Sequence, residues 1–328
     1  MKSFPLLCAL LVSASALIAA QPARAADELI GDPKIIGKLD RAKTREAGLK
    51  ASAAAEKIGW RLGSQAYTLR EQPLLDTLDT LYVLGLKYVE CYPNQVVSPD
   101  FKDAKGKPMT FGVGMSPEAI AAVKKKLDQT GIKVLSMGVT PIPADEPGAR
   151  KLFQFAKDFG MERIVTEAKE DQFPVIDKLA NEFDIDVALH NHPGPKSYYW
   201  EPEHVLKAVQ GHPRIGSCAD VGHWQRSGVK PIEALKKLEG HIFESHFKDL
   251  NEFGNVKAHD VPWGTGTGDA KGMLEECYRQ TKAGDLGGKT KKMTFNIEYE
   301  IGHGTELVEN MAKSIEWFGK ECEALGGK

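Results

Sequence analysis

The stretch Asp184-Ile185-Asp186-Val187-Ala188-Leu189-His190-Asn191-His192 is a short apolar run that ends in three polar side chains. An amphipathic segment, Phe173–Phe183, comes before it and another, Pro202–Gln210, comes after it. The local reading is therefore helix, strand, helix, with Gly or Pro punctuating the joins. The same unit recurs in both directions. Strand-like runs fall at Trp60–Leu69, Tyr88–Tyr92, Lys133–Val139, Arg163–Thr166, Asp186–His190, Gly216–Asp220, Ile242–Phe247 and Met293–Tyr299, with helical patterns such as Pro117–Thr130, Ala149–Phe159 and Pro231–Leu238 between them. Eight alternations over this length predict an α/β fold, a single (β/α)8 TIM barrel, whose usual size is ~250 residues. An open doubly wound sheet fits less well, because Gly63-Ser64-Gln65 after the first run is not the GxGxxG of a dinucleotide loop. Gly264-Thr265-Gly266-Thr267-Gly268 resembles a phosphate loop but follows no strand, so it reads as a glycine cluster ahead of a helix at Lys271–Gln280.

Composition narrows the function classes. The chain has 328 residues, 43 Lys+Arg against 45 Asp+Glu and a formal net charge of -2, so no basic excess points to nucleic acid. Residues 1–25 read as a secretory signal peptide: Met1-Lys2, an apolar run from Phe4 to Ala20, then Ala23-Arg24-Ala25 at the cleavage positions. Cleavage after Ala25 predicts a periplasmic or secreted protein with no membrane attachment once the signal is removed. Residues 26–58 form a polar, Ala- and Lys-rich leader with helical character, and 59–328 the barrel. The four cysteines after the signal, Cys91, Cys218, Cys277 and Cys322, include no CxxC and exclude a dense disulfide framework. Cys91 and Cys218 lie in strand-like runs and read as small buried apolar residues.

In such a barrel the C-terminal strand ends surround the active site. All nine histidines lie between His190 and His303, in the second half of the chain. There the runs end in Thr166-Glu167, His190-Asn191-His192, Asp220-Val221-Gly222-His223, Ser245-His246-Phe247-Lys248 and Glu298-Tyr299-Glu300. Carboxylates and imidazoles converging from several strands suit a divalent cation, oxygen donors favouring Mn, Mg or Co and imidazole admitting Zn. Residues two apart share a face, which groups His190 with His192, His246 with Glu244 and Lys248, and Glu298 with Glu300. Bland alternatives stand beside these readings: Glu167 as a solvated loop acid, Asp220 as the cap of the following turn, His246 as a satisfied core histidine. Tyr198-Tyr199-Trp200 reads equally as packing or as a platform for a sugar ring.

At these strand ends the sequence resembles the xylose-isomerase-like TIM-barrel superfamily, a group of sugar isomerases and epimerases that includes inosose-handling enzymes. The stretches that carry it are Leu189-His190-Asn191-His192, Asp220-Val221-Gly222-His223 with Arg226-Ser227-Gly228, His246-Phe247-Lys248-Asp249 and Asn296-Ile297-Glu298-Tyr299-Glu300. The resemblance implies a divalent metal held by Asp220, His246 and Glu298, with His223 toward the substrate. The family's epimerases carry a glutamate on the fifth strand as ligand and acid/base, where this chain has His190. Either His190 takes that place or Glu167 reaches across from the fourth strand, and Glu167 is favoured. The departure sets the symmetric epimerase mechanism in question and likens the chain to branches that handle keto-sugars, lyases included.

The expected chemistry is metal-assisted removal of a proton next to a carbonyl. Glu298, His190, His223 and Lys248 are the candidates for proton transfer and oxyanion stabilisation, and His192, His223, Arg226, Lys248 and Glu300 for binding a small carbohydrate. The expected function is an exported divalent-metal-dependent sugar isomerase or epimerase, with a keto-sugar or keto-glycoside lyase or hydrolase as the alternative, because isomerisation, epimerisation and elimination share this first step. A DNA-repair phosphodiesterase on the same barrel is disfavoured by charge, and a non-catalytic carbohydrate-binding barrel is the remaining alternative. Assembly into a homo-oligomer stays open.

Overall fold

A computed structural model describes residues 34–327. The expected signal segment, residues 1–25, lies outside the described residues. Eight parallel strands close into a barrel: β1 (Trp60–Gln65), β2 (Tyr88–Cys91), β3 (Lys133–Met137), β4 (Arg163–Thr166), β5 (Asp186–His190), β6 (Ile215–Asp220), β7 (Ile242–Phe247) and β8 (Met293–Ile297). Each pairs with its neighbour in sequence, and β8 closes on β1 through Trp60↔Met293 to Ser64↔Ile297. The TIM barrel expected from the alternation is the fold.

Ten helices are labelled in chain order: α1 (Arg41–Lys57), α2 (Leu74–Val83), α3 (Pro117–Thr130), α4 (Glu146–Asp158), α5 (Phe173–Phe183), α6 (Pro202–Val209), α7 (Val221–Arg226), α8 (Pro231–Lys237), α9 (Ala270–Ala283) and α10 (Gly304–Gly326). Local chemistry sets their ends. Ser116 caps α3 by accepting from Ala119 N, Pro117 opens it, and Gly131 ends it in the left-handed region. Asp145 caps α4 in the same manner through Gly148 N. The first expected run is shorter than the sequence suggests: the Gln65 side chain accepts from Tyr67 N at 2.9 Å, and Ala66–Leu69 turn into a 3-10 helix.

Strand alternation splits the core into two. Leu62, Val89, Ile164, Val187, Leu189, Ala219, Phe247 and Phe295 join the large cluster that also takes in the helices, whereas Val165, Ala188, Cys218 and Phe243 form a small separate one. Inside the barrel this small cluster gives way to a polar layer. There Glu244 Oε2 accepts from Ser136 Oγ at 3.0 Å, Arg163 Nη1 at 3.3 Å and Asn296 Nδ2 at 3.2 Å. Cys91, Cys218, Cys277 and Cys322 are all free and buried.

The glycine cluster after β7 is a loop with an occupant of its own. The Asp249 carboxylate accepts backbone N–H bonds from Gly264 (3.0 Å), Gly266 (2.8 Å) and Gly268 (3.1 Å). Successive N–H groups wrapped round an anion are a nest, and here the anion is a side chain of the chain itself. This bond set anchors the connection from Asn251 to Gly268, which returns over the mouth of the barrel.

Helix α1 lies along α10, with Ala51 against Gly319, and crosses the end of α2, where Gly48 meets the Leu84 carbonyl. A Cβ at Gly48 would sit on that carbonyl oxygen. In an open helix Gly→Ala stabilises by about 1 kcal/mol. Gly48→Ala is expected instead to destabilise, by about 1–3 kcal/mol because backbone must move. Thermal unfolding followed by circular dichroism reads the sign, and a raised midpoint would refute this packing.

Candidate metal centre

The ends of β5, β6, β7 and β8 bring His190, Asp220, His246 and Glu298 together, all buried, with one donor atom of each within 4.8 Å of the others. Asp220 serves two roles at once. Its Oδ1 caps α7 by accepting from His223 N at 2.7 Å, while its Oδ2 faces the quartet, 3.4 Å from His190 Nε2 and 3.8 Å from His246 Nδ1. The Asn191 side chain clamps the backbone of Asp220, donating to its carbonyl at 3.0 Å and accepting from its N–H at 2.9 Å. This gives Asn191, on the opposite face from the two histidines, its own task.

His190 Nε2 and His246 Nδ1 are buried, make no well-directed hydrogen bond and face the carboxylates of the quartet, His246 Nδ1 lying 3.0 Å from Glu298 Oε2. The other nitrogen of each ring is held by a carboxylate. Glu90 Oε2 lies 2.8 Å from His246 Nε2, and Glu167 Oε1 lies 3.3 Å from His190 Nδ1. Against burial, Asp220 and Glu167 raise the pKa of His190, and Cys218, Glu90 and Glu298 raise that of His246. An ionised carboxylate can only accept, so the proton on the carboxylate side of each ring is fixed, and a cation in the quartet would take the place of the inward proton and meet a lone pair there. Two lone pairs and two carboxylates form a donor set suited to a divalent cation, and a carboxylate behind each histidine is how such ligands are oriented. Two inward nitrogens and two carboxylates converging on one point thus fit the metal the strand ends predicted.

Glu167 stands outside the quartet. Thr166 pairs with Leu189 across β4 and β5, which sets Glu167 level with His190. Its carboxylate reaches the near edge of that ring, not past it, and also takes His192 Nδ1 at 2.5 Å and His192 N at 3.0 Å. Although burial works against ionisation, these two histidines hold the Glu167 carboxyl below the usual range. The geometry therefore sets His190, and not Glu167 as favoured from the sequence, among the inward donors.

Lys248 is buried with its ammonium 2.6 Å from Asp220 Oδ2, 2.7 Å from Glu298 Oε2 and 3.5 Å from Glu300 Oε2. Burial favours the neutral amine, but the Asp220 and Glu298 carboxylates outweigh it and hold the pKa well above that of a free lysine. With Glu300 offset by Arg226, Asp220, Glu298 and the Lys248 ammonium leave a single negative charge, which a divalent ion would turn into a single positive one. Such a site favours charge developing on a substrate oxygen.

His223 Nε2 lies 3.5 Å from both Asp220 Oδ2 and Glu300 Oε1. Its Nδ1 is 3.1 Å from Arg226 Nη1. A guanidinium only donates, so Nδ1 must accept and the proton sits on Nε2, toward the site. Burial, against the pull of Asp220, drives this imidazole down to about 3, which keeps it neutral. Arg226, expected to contact substrate, lines the cleft but is committed within the protein: to the Ala258 carbonyl at 3.1 Å, to Glu300, and beside Asp260 at 3.5 Å.

Beside the quartet opens a cleft of about 450 Å³, lined not by the four residues themselves but by Glu167 and His223, which are in contact with them, and by Glu300 beside Lys248, together with His192 and Arg226 among others. His303 lies away from it, paired with Glu71 at 2.8 Å. The aromatic run is packing: Tyr199 is buried with its hydroxyl on the Ala168 carbonyl, Trp200 covers Gly194, and Tyr198 stacks on His204. A hollow of about 590 Å³ between the loops after β2 and β3, lined by Met109, Phe111 and Met137, holds none of the quartet. Sequence reasoning missed Glu90, which Gln65 Nε2 (2.9 Å) and Asn296 Nδ2 (3.1 Å) lock against His246. The available signal was an acid placed between Val89 and Cys91 near the end of a strand.

The profile of the xylose isomerase-like TIM barrel family matches residues 78–279. Among solved structures, a putative uncharacterized protein from Parabacteroides distasonis is 28% identical with a TM-score of 0.60, over 80% of this chain and 99% of that one. A D-tagatose 3-epimerase-like protein gives 16% identity and 0.61 over 81% and 98%. A xylose isomerase-like TIM barrel protein from Mycobacterium smegmatis, in complex with magnesium, gives 13% and 0.61 over 82% and 98%. Among curated proteins no sequence match was found. The closed eight-stranded barrel and the match over most of its length agree: this chain belongs to the xylose isomerase-like TIM barrel family.

Proposed function

We propose that the chain is an exported, divalent-metal-dependent enzyme that removes a proton next to the carbonyl of a carbohydrate and then expels a β-substituent. The observation that carries this reading is the buried quartet, in which two imidazole nitrogens and two carboxylates converge. A divalent cation held there would polarise the substrate's carbonyl and bind its oxygens. Glu298 takes the proton from carbon, and the released electron pair moves onto the carbonyl oxygen. Lys248 and the Nε2–H of His223 face that oxygen and the leaving group. When the pair returns to form the carbon–carbon double bond, the leaving oxygen departs and collects a proton from this edge of the site.

One substitution favours elimination over epimerisation. Inverting a carbon calls for proton transfer on both faces, and the fifth-strand position that would supply a second carboxylate is His190, whose Nδ1 is tied to Glu167 and whose Nε2 faces the quartet. Isomerisation is the second reading, because a single base at Glu298 can return the proton to the neighbouring carbon. Export rests on the leader in residues 1–25.

His190→Ala, Asp220→Ala and His246→Ala are each expected to lose bound metal by elemental analysis, and chelation to abolish turnover. Glu167→Gln should retain metal with affinity lowered about 10–100-fold, as for an orienting carboxylate. Full metal occupancy in His190→Ala would remove it from the donor set.

Turnover of 3-keto-sugars in heavy water separates the outcomes. Elimination leaves no deuterium at the carbon that becomes part of the double bond, but the unconsumed substrate exchanges there; isomerised product carries deuterium. Product formed with neither exchange nor loss of that carbon-bound hydrogen would exclude enolisation.

Arg226→Gln frees His223 to carry its proton on either nitrogen. The expected loss is about 10–100-fold in kcat with little change in metal content, and an unchanged kcat would dismiss Arg226 as the residue that positions His223.

A further inference from the structure

The cleft changes character from its floor to its rim. Its inner wall is polar, with Glu167, His223 and Glu300. At the rim stand Val256, 63% exposed, from the loop after β7, and Ile301, 52% exposed, from the loop after β8, with Pro193 from the loop after β5 and the exposed Lys196 and Lys257 beside them. Single exposed hydrophobic side chains are ordinary on a protein surface. Their distribution here is not scattered. Among the described residues the exposed large hydrophobic side chains are Val113, Tyr198, Phe253, Val256 and Ile301, and every one lies on a loop that follows a barrel strand, on the face that carries the metal centre. Exposed apolar side chains at the rim, with two lysines whose stems add to the apolar surface, over a polar floor match a ligand that is itself divided in that way.

The rim is also preformed. The loop bearing Val256 is held by the Asp249 nest, by Gly254 N donating to the Gln225 carbonyl at 2.8 Å, and by Arg226 donating to the Ala258 carbonyl at 3.1 Å. Binding against such a loop incurs little ordering entropy.

We propose that the cleft takes a glycoside: the sugar portion reaches the quartet while an apolar aglycone rests on Val256 and Ile301. In this arrangement the aglycone oxygen is the leaving group of the elimination. The assignment of the sugar end rests on the function proposed above, whereas the aglycone subsite is measurable by binding alone.

Isothermal titration of the metal-loaded full-length mature chain with phenyl β-D-glucopyranoside and with methyl β-D-glucopyranoside tests it. The phenyl glycoside is expected to bind about tenfold more tightly. The double variant Val256→Ser, Ile301→Ser alters only exposed side chains and should bring the two affinities together, leaving the methyl glycoside and the metal content unchanged. Equal affinities in the parent chain, no binding of the phenyl glycoside at millimolar concentration, or a difference that survives in the double variant would each overturn the subsite. So would a dimer of the parent chain that dissociates in the variant without any phenyl preference, since the rim would then serve self-association. Deuterium exchange and metal content report on the quartet separately, so the subsite can fail while the enolisation reading stands, and the reverse.

Discussion

The buried hydrogen bond between His246 Nε2 and Glu90 Oε2, 2.8 Å long, decides which nitrogen of that ring faces the middle of the barrel. Much of the site depends on it. Glu90 is itself held by Gln65 from β1 and by Asn296 from β8, so three strands fix the tautomer of a fourth strand's histidine. The Glu167–His190 pair repeats the device between neighbouring strands, in a more exposed setting. A barrel is well suited to this kind of support, because parallel strands deliver side chains to one level from all sides.

Burying so many ionisable groups is tolerable only because each meets an opposite charge or a donor. Lys248 shows how closely the charges are matched: its ammonium touches both Asp220 and Glu298, the same carboxylates that face the two imidazoles. Arg226 performs the corresponding task one layer out, joining Glu300, Asp260 and the Ala258 carbonyl. The function of His223 is therefore coupled to a loop far along the chain. An imidazole at His190, where a carboxylate would add a charge, makes the centre less negative.

How much of this was legible in the sequence follows from where each determinant sits. Strands of a parallel barrel are buried on both faces and read as short apolar runs, and helices α3 and α4 announce their limits through Pro, Gly and capping residues. Alternation then placed Asp220, His246 and Glu298 on the inward face. Helix α2 was not legible because eight of its ten residues are buried, which erases the amphipathic period. The choice between Glu167 and His190 depended on the register of β4 against β5, a relation between strands that no local pattern carries. Glu90 escaped because β2 has only four residues and lies in the half of the chain without histidine. Arg226 looked free because its partners, Ala258 and Asp260, lie some thirty residues further on.

The glycine loop around Asp249 has a consequence for selectivity. A tethered carboxylate competes for those N–H groups as an intramolecular ligand, at an effective concentration of order millimolar or above. An incoming phosphate would have to displace it, and would then strand a buried acid that burial already raises above its ordinary pKa. The loop is thereby converted from a receptor into a hinge pin: its affinity for anions is consumed in holding the cleft's own wall in place.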